Sequence, residues 1–151
     1  MQTRRETLRQ SAAVAGMLTA AGLLPRDALA WNKNAFEAKG VADAAKAFGG
    51  GAPVESKDVT LTAPDIAENG AVVPIGAATT LANVKHLLIL VEKNPNALVA
   101  KFDTNPAIES NFLTRAKMGQ SSDVYAVAIT NDGKSFFTKK EVKVTLGGCG
   151  G

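Results

Sequence analysis

A chain of 151 residues has room for one globular domain at roughly 100–200 residues per domain, and its 17 Lys/Arg against 14 Asp/Glu leave a formal charge of +3. Four of the basic groups (Arg4, Arg5, Arg9, Arg26) and two of the acids (Glu6, Asp27) fall in the first thirty residues, so the remainder carries 13 and 12, a net charge near +1. That balance offers no electrostatic footprint for nucleic acid, and one Cys with one His excludes an intramolecular disulfide and the usual Cys/His zinc sites.

Residues 3–9 read Thr-Arg-Arg-Glu-Thr-Leu-Arg, a basic start, and the stretch from Gln10 to Leu24 is uncharged and moderately apolar. Pro25 and Arg26 end it, and Ala28-Leu29-Ala30 supplies small residues at the two positions that signal peptidase needs. A stretch of about fifteen residues is too short for a permanent membrane anchor, which takes ~20. The competing reading is a buried or membrane helix. Arg4-Arg5, followed by Leu8 and Arg9, resembles a twin-arginine export signal, although Thr7 stands where that pattern has Phe. Residues 1–30 are therefore expected to be a twin-arginine signal peptide with Arg4 and Arg5 as its recognition pair. The mature chain would begin at Trp31, in the periplasm.

Residues 31–52 are expected to hold one helix, with Asn34 as N-cap and Gly49-Gly50-Gly51 as the stop. Phe36, Val41, Ala44 and Phe48 would face a sheet, and Gly40 weakens the helix by about 1 kcal/mol. From Pro53 the period changes to two. Strands are expected at 59–62, 71–77, 84–92, 98–103, 112–118, 123–130 and 141–146, separated by Asn-Gly, Asn-Pro and Asn-Asp-Gly turns. Seven short strands point to a mainly β fold, an antiparallel β-sandwich over residues 53–146. Leu87-Leu88-Ile89-Leu90-Val91 does not alternate, so that strand needs cover on both faces, from the N-terminal helix or from another chain.

Convergent catalytic groups are scarce. His86, the one histidine, sits beside the apolar strand and reads as a structural residue; the carboxylates have no metal-loop spacing; Gly49-Gly50-Gly51 lacks the Lys-Ser/Thr of a phosphate loop. Ser121, Ser122 and Ser135 lie beside turns, with no local mark of a nucleophile. What is left is Gly147-Gly148-Cys149-Gly150-Gly151, residues 147–151. The four glycines Gly147, Gly148, Gly150 and Gly151 give the Cys149 thiol a flexible arm without bulk, and three residues beyond Leu146 reach about 10 Å. No Lys, Arg or His lies within five residues, so the thiol pKa is expected at or above ~8.5, suited to a passive carrier more than to a self-activated nucleophile. Two readings of the cysteine stay open at this point: a covalent carrier, or an interaction module whose cysteine only cross-links subunits in a disulfide-linked dimer.

Three stretches carry a resemblance: Leu61-Thr62-Ala63-Pro64-Asp65-Ile66-Ala67-Glu68-Asn69-Gly70-Ala71-Val72-Val73-Pro74, then Val91-Glu92-Lys93-Asn94-Pro95-Asn96, and the final Val142 to Gly151 with its Gly-Gly-Cys-Gly-Gly. With the export signal, these make the chain similar to the SoxY family, the sulfur-carrier subunits of the periplasmic thiosulfate-oxidising system. The resemblance implies an immunoglobulin-like sandwich with an N-terminal helix, and pairing with a SoxZ-like subunit as a heterodimer. It implies that the chain is no enzyme and has no cofactor beyond sulfur bound covalently at Cys149. The implied partners are a haem-containing enzyme that couples thiosulfate to the thiol, a hydrolase that releases sulfate, and a dehydrogenase that oxidises the remaining sulfane sulfur. No metal, nucleic acid or membrane anchor is implied.

Overall fold

The computed structural model describes residues 4–8, 10, 13 and 32–146, and the chain divides into two units, residues 1–32 and 33–151. In the first unit residues 4–8, 10 and 13, Arg4 and Arg5 among them, are helical and exposed, whereas Asn32 is half-buried and outside any helix. Among the described residues no helix is long and apolar enough to cross a membrane. The expected cleavage site at 28–30 and the arm at 147–151 lie outside the described residues.

The second unit opens with α1 (Lys33–Phe36) and α2 (Val41–Ala47) and continues, among the described residues, with nine strands. These are β1 (Pro53–Glu55), β2 (Val59–Thr62), β3 (Ile66–Ala67), β4 (Val73–Thr79), β5 (Val84–Val91), β6 (Leu98–Asp103), β7 (Asn111–Ala116), β8 (Ser122–Thr130) and β9 (Ser135–Val144). One sheet runs β1-β9-β8-β5-β6, with β3 also paired to β9; the other runs β2-β4-β7. Packed face to face, they form the mainly β, immunoglobulin-like sandwich that the sequence led us to expect.

Two features correct the expected pattern. The sandwich is not wholly antiparallel: β1 pairs parallel with the start of β9 (Val54 opposite Phe136), and β3 pairs parallel with its end (Ile66 opposite Lys143). β9 also begins at Ser135, well before the expected start at 141, and ends at Val144. Its polar middle hid it. Lys139 reaches Asp123 at 2.9 Å across the Tyr125 ring, and Lys140 donates to the Ala63 carbonyl at 2.6 Å, so long lysine stems cover apolar surface where alternation would call for hydrophobic residues.

The two-sided apolar strand is β5, and both of its covers are present. Leu87, Ile89 and Val91 enter the core between the sheets with Val124, Ala126 and Ala128 of β8 and Val73, Ile75 and Ala77 of β4. Leu87 lies opposite Ala128 and Ile89 opposite Ala126, so at these two steps a large side chain meets a small one. On the other face Leu88 and Leu90 join Tyr125, Val127, Ile129 and Leu98 beneath Ala35, Ala38, Ala44 and Ala45. The helical segment is the cover.

That segment is two short helices and not one. Asn34 lies inside α1, and the chain leaves helical geometry at 37–40, with Gly40 extended at φ −155°. The bend lets α1 and the following residues contribute Ala35 and Ala38, and α2 contribute Ala44 and Ala45, to one sheet face; Phe36, Val41 and Phe48, expected on that face together with Ala44, pack against the same cluster but stay half-buried. The stop is as expected. Gly49, at φ +79°, donates to Lys46 O at 3.0 Å and Gly50 donates to Ala45 O at 2.8 Å, a left-handed glycine cap.

Gly50 has a second constraint. A Cβ on it would fall 2.2 Å from Ser135 Oγ and 3.0 Å from the Ala45 carbonyl, and Ser135 Oγ is buried with no hydrogen-bond partner among the described residues. Gly50→Ala should therefore cost about 1–3 kcal/mol by overpacking. Ser135→Ala, which removes an unsatisfied hydroxyl, should be neutral or stabilising and should recover part of that loss in the double variant. Urea unfolding of the four proteins measures the coupling; strict additivity would contradict the contact.

Candidate functional site

The described chain ends on the strand that leads to Cys149. β9 is held by β8 along one edge, from Ser122 opposite Val142 to Ile129 opposite Ser135. On the edge that β8 leaves free, residues 65–70 grip the end of the strand. Lys143 N donates to Asp65 O at 2.9 Å, Thr145 N to Ala67 O at 3.1 Å, Thr145 Oγ1 to Glu68 O at 2.9 Å, and Gly70 N to Leu146 O at 2.7 Å. From the β8 side, Ser121 Oγ accepts Val144 N at 2.9 Å.

The grip is itself anchored. Met118 N donates to Gly70 O at 2.7 Å, and Met118 is fully buried in the inter-sheet core with Ala67. Asn69 Oδ1 accepts Ala71 N at 2.8 Å, closing an Asx turn, and Lys140 pairs with Asp65 at 2.9 Å. Backbone order therefore continues to Leu146, the residue before Gly147. Gly147, Gly148, Cys149, Gly150 and Gly151, the expected site residues, lie outside the described residues, and Arg4 and Arg5 belong to the other unit. The clamp is what sequence reasoning missed as a functional element. Asn69-Gly70 reads as a plain turn, and the two-residue β3 is too short to show a period.

A second polar cluster lies elsewhere in the sandwich. His86 of β5 faces Asp103 of β6 in register, with Nδ1 2.6 Å from Oδ1, and Lys101 Nζ meets the same oxygen at 2.6 Å. Phe48, the α2 cap residue, packs its ring 5.7 Å from the imidazole and carries the Lys101 ammonium 5.5 Å from its centroid. Burial of the ring, helped by the Lys101 charge, holds His86 below its ordinary 6.5 despite Asp103; the Lys101 hydrogen bond holds Asp103 below its ordinary 3.8. The neutral imidazole thus donates to a carboxylate and ties helix cap to sheet, a structural arrangement. Among the described residues no group of three His, Cys, Asp or Glu side chains could hold a metal ion.

The family model described as "Sulfur oxidation protein SoxY" matches residues 44–149. The chain belongs to the SoxY family. The match starts in α2 and includes every strand, the clamp and Cys149. Among solved structures, the sulfur carrier protein SoxY from Chlorobium limicola f thiosulfatophilum is similar at 34% identity and TM-score 0.56, over 62% of this chain and 86% of that one. A superoxide reductase (neelaredoxin) from Ignicoccus hospitalis is similar at 16% identity and TM-score 0.51, over 57% and 79%, a likeness of fold alone. No curated protein matches.

The His86 pair should make this SoxY family member less stable in mild acid. The unfolded chain takes up a proton on His86 near 6.5 and the folded chain only at lower pH, so stability is complete above about 6.5 and falls as pH drops from there toward the lowered value. Melting should occur at lower temperature at ~pH 5 than at ~pH 8, and His86→Gln should flatten that slope. Asp103 titrates below this window, at or under 3.8, and leaves it undisturbed. An equal slope in both proteins would remove His86 as the cause.

Proposed function

We propose that this chain is the covalent sulfur carrier of a thiosulfate-oxidising system, with Cys149 as the attachment point and Gly147, Gly148, Gly150 and Gly151 as its arm. The observation that carries this is the family match running through residue 149, together with a carrier protein as the 34%-identical structural relative. The clamp supports it. A rigid root up to Leu146 followed by glycines gives one thiol a defined pivot and a reach of about 10 Å.

In this scheme the thiol and thiosulfate join with loss of one proton and two electrons, giving Cys149–S–S–SO3⁻, and the electrons pass to a haem-containing partner enzyme. A hydrolase then adds water, releasing sulfate and two protons and leaving Cys149–S–S⁻. A dehydrogenase oxidises the remaining sulfane sulfur. The chain contributes the thiol and its placement; the partners contribute the chemistry, and a SoxZ-like subunit completes the heterodimer.

Export through the twin-arginine route, with residues 1–30 removed, would place the carrier in the periplasm. Replacing Arg4 and Arg5 together by Lys should hold the precursor in the cytoplasm, read by fractionation and N-terminal sequencing. A mature Trp31 start at wild-type levels in that variant would remove the twin-arginine assignment.

Cys149→Ser should abolish loading of sulfur while shifting unfolding free energy by no more than about 0.5 kcal/mol, the usual range for surface changes. Mass spectrometry of the C-terminal peptide after incubation with thiosulfate and the partner enzymes checks the first part, and thermal melting the second. Cross-linked dimer as the sole product at Cys149, with no sulfur adduct, would favour the interaction-module reading.

A further inference from the structure

The chain contains one Asn-Gly pair, Asn69-Gly70, and it lies in the clamp. Asparagine followed by glycine is the pair most prone to deamidate, because a residue with no Cβ leaves its own amide nitrogen unobstructed as a nucleophile toward the asparagine side chain. Asn69 is exposed to water, whereas Gly70 is buried and held from both sides. Its N–H donates to Leu146 O at 2.7 Å and its carbonyl accepts Met118 N at 2.7 Å, while Asn69 Oδ1 accepts Ala71 N at 2.8 Å.

We infer that Asn69-Gly70 is a deamidation site gated by the end of β9: it reacts only when Gly70 N lets go of Leu146 O, so a modified Asn69 is a covalent record of clamp opening. In the reaction Gly70 N gives its proton to solvent base and bonds to Asn69 Cγ; the Cγ–Nδ2 bond breaks and the nitrogen leaves, with a proton taken up, as ammonia. Water then adds to either carbonyl of the five-membered imide, giving aspartate or isoaspartate, and nothing is oxidised or reduced. While the clamp is closed, the proton that must leave is the one donated to Leu146 O, out of reach of solvent, and the nitrogen cannot turn toward Cγ without breaking main-chain hydrogen bonds. The chemistry is independent of what Cys149 carries.

Opening involves few groups. The acceptor is the carbonyl of Leu146, the last described residue, and its neighbour is fixed by Thr145 N to Ala67 O at 3.1 Å and Thr145 Oγ1 to Glu68 O at 2.9 Å. A strand end of this kind opens at a free energy below that of the whole sandwich, so the Gly70 amide is freed more often than the chain unfolds. Isoaspartate then prevents reclosure in the original geometry, because the main chain runs through the former side chain and is one methylene longer between residues 69 and 70. Asp132-Gly133 is the internal comparison. An aspartate closes the same imide as the neutral acid, and Asp132, hydrogen-bonded by Thr130 and paired with Lys134 at 2.9 Å, has its pKa held down to about 2 and stays ionised.

The full-length protein is aged in mildly alkaline buffer, and the peptide containing residues 69 and 70 is followed by mass spectrometry with fragmentation that separates aspartate from isoaspartate. Deamidation of the folded wild type should be slower than that of the same chain in urea by roughly tenfold or more. Thr145→Pro, which removes the donor to Ala67 O and bends the strand end, should raise the folded-state rate by roughly tenfold while amide-exchange protection in the core is kept. Should that variant fold poorly, Thr145→Val, which deletes only the bond to Glu68 O from an exposed side chain, should raise the rate by a smaller factor. In each protein the rate should rise in step with deuterium exchange at Gly70 N. Asn69→Gln, with a side chain too long for the five-membered imide, should abolish the product, and Asp132-Gly133 should stay unmodified throughout. Equal rates in the folded and unfolded wild type would overturn the inference, as would an unchanged rate in a folded variant whose Gly70 amide exchanges freely. Isoaspartate building up at Asp132 as fast as at Asn69 would also overturn it, since the clamp would then gate nothing specific.

Discussion

The requirement that Leu87 to Val91 be dry on both faces organises the whole sandwich unit. A strand with apolar side chains pointing both ways has to lie between two layers, so β5 takes a central position, β8 pairs with it over its length, and the small sheet closes one side. The other side is closed by alanines. Ala35, Ala38, Ala44 and Ala45 let backbone approach the sheet closely, and the bend at 37–40 lets two short helices, too short to be stable alone, reach the same surface. The helices owe their existence to the sheet as much as the sheet owes them its dryness.

β9 connects that core to the segment that contains Cys149. Its first half is tied to the centre of the sandwich through β8, and its last residues leave the β8 pairing and are taken up by residues 65–70. A strand end without partners frays, with opening free energies near zero. Here each of the last backbone steps has a partner, and the partner segment is rooted in the core at Ala67 and Met118. On the carrier reading proposed above, a held strand end would give the proposed tether a fixed base.

The same economy explains the division between the unit's polar clusters. His86, Asp103, Lys101 and Phe48 join the α2 cap to β5 and β6, with a buried neutral imidazole donating to a carboxylate that a lysine also holds. That arrangement joins the helical cover to the sheet. The clamp instead is made mainly of backbone hydrogen bonds, with Ile66, Val72 and Leu146 exposed beside them.

Much was legible in the sequence by itself, because the signals were local. Strand-like runs between turn signals placed β2 and β4 to β8 to within a few residues, and the Asn-Asp-Gly turn announced the hairpin, where Gly133 takes φ +81° and donates to Thr130 O at 3.0 Å. Gly-Gly-Cys-Gly-Gly named the candidate residue, because a thiol among glycines has no packing role to compete with. Only the tertiary structure decided the rest. Whether β5's second face met a helix or another chain depended on where the alanines folded back, which no local period records. The true length of β9 was hidden by lysines whose stems pack while their ammonium groups find Asp123 and Ala63 O. β3 and the clamp rest mainly on backbone hydrogen bonds between residues about 78 apart in sequence, as for Thr145 N with Ala67 O, and main-chain pairing of that kind writes nothing into side-chain identity.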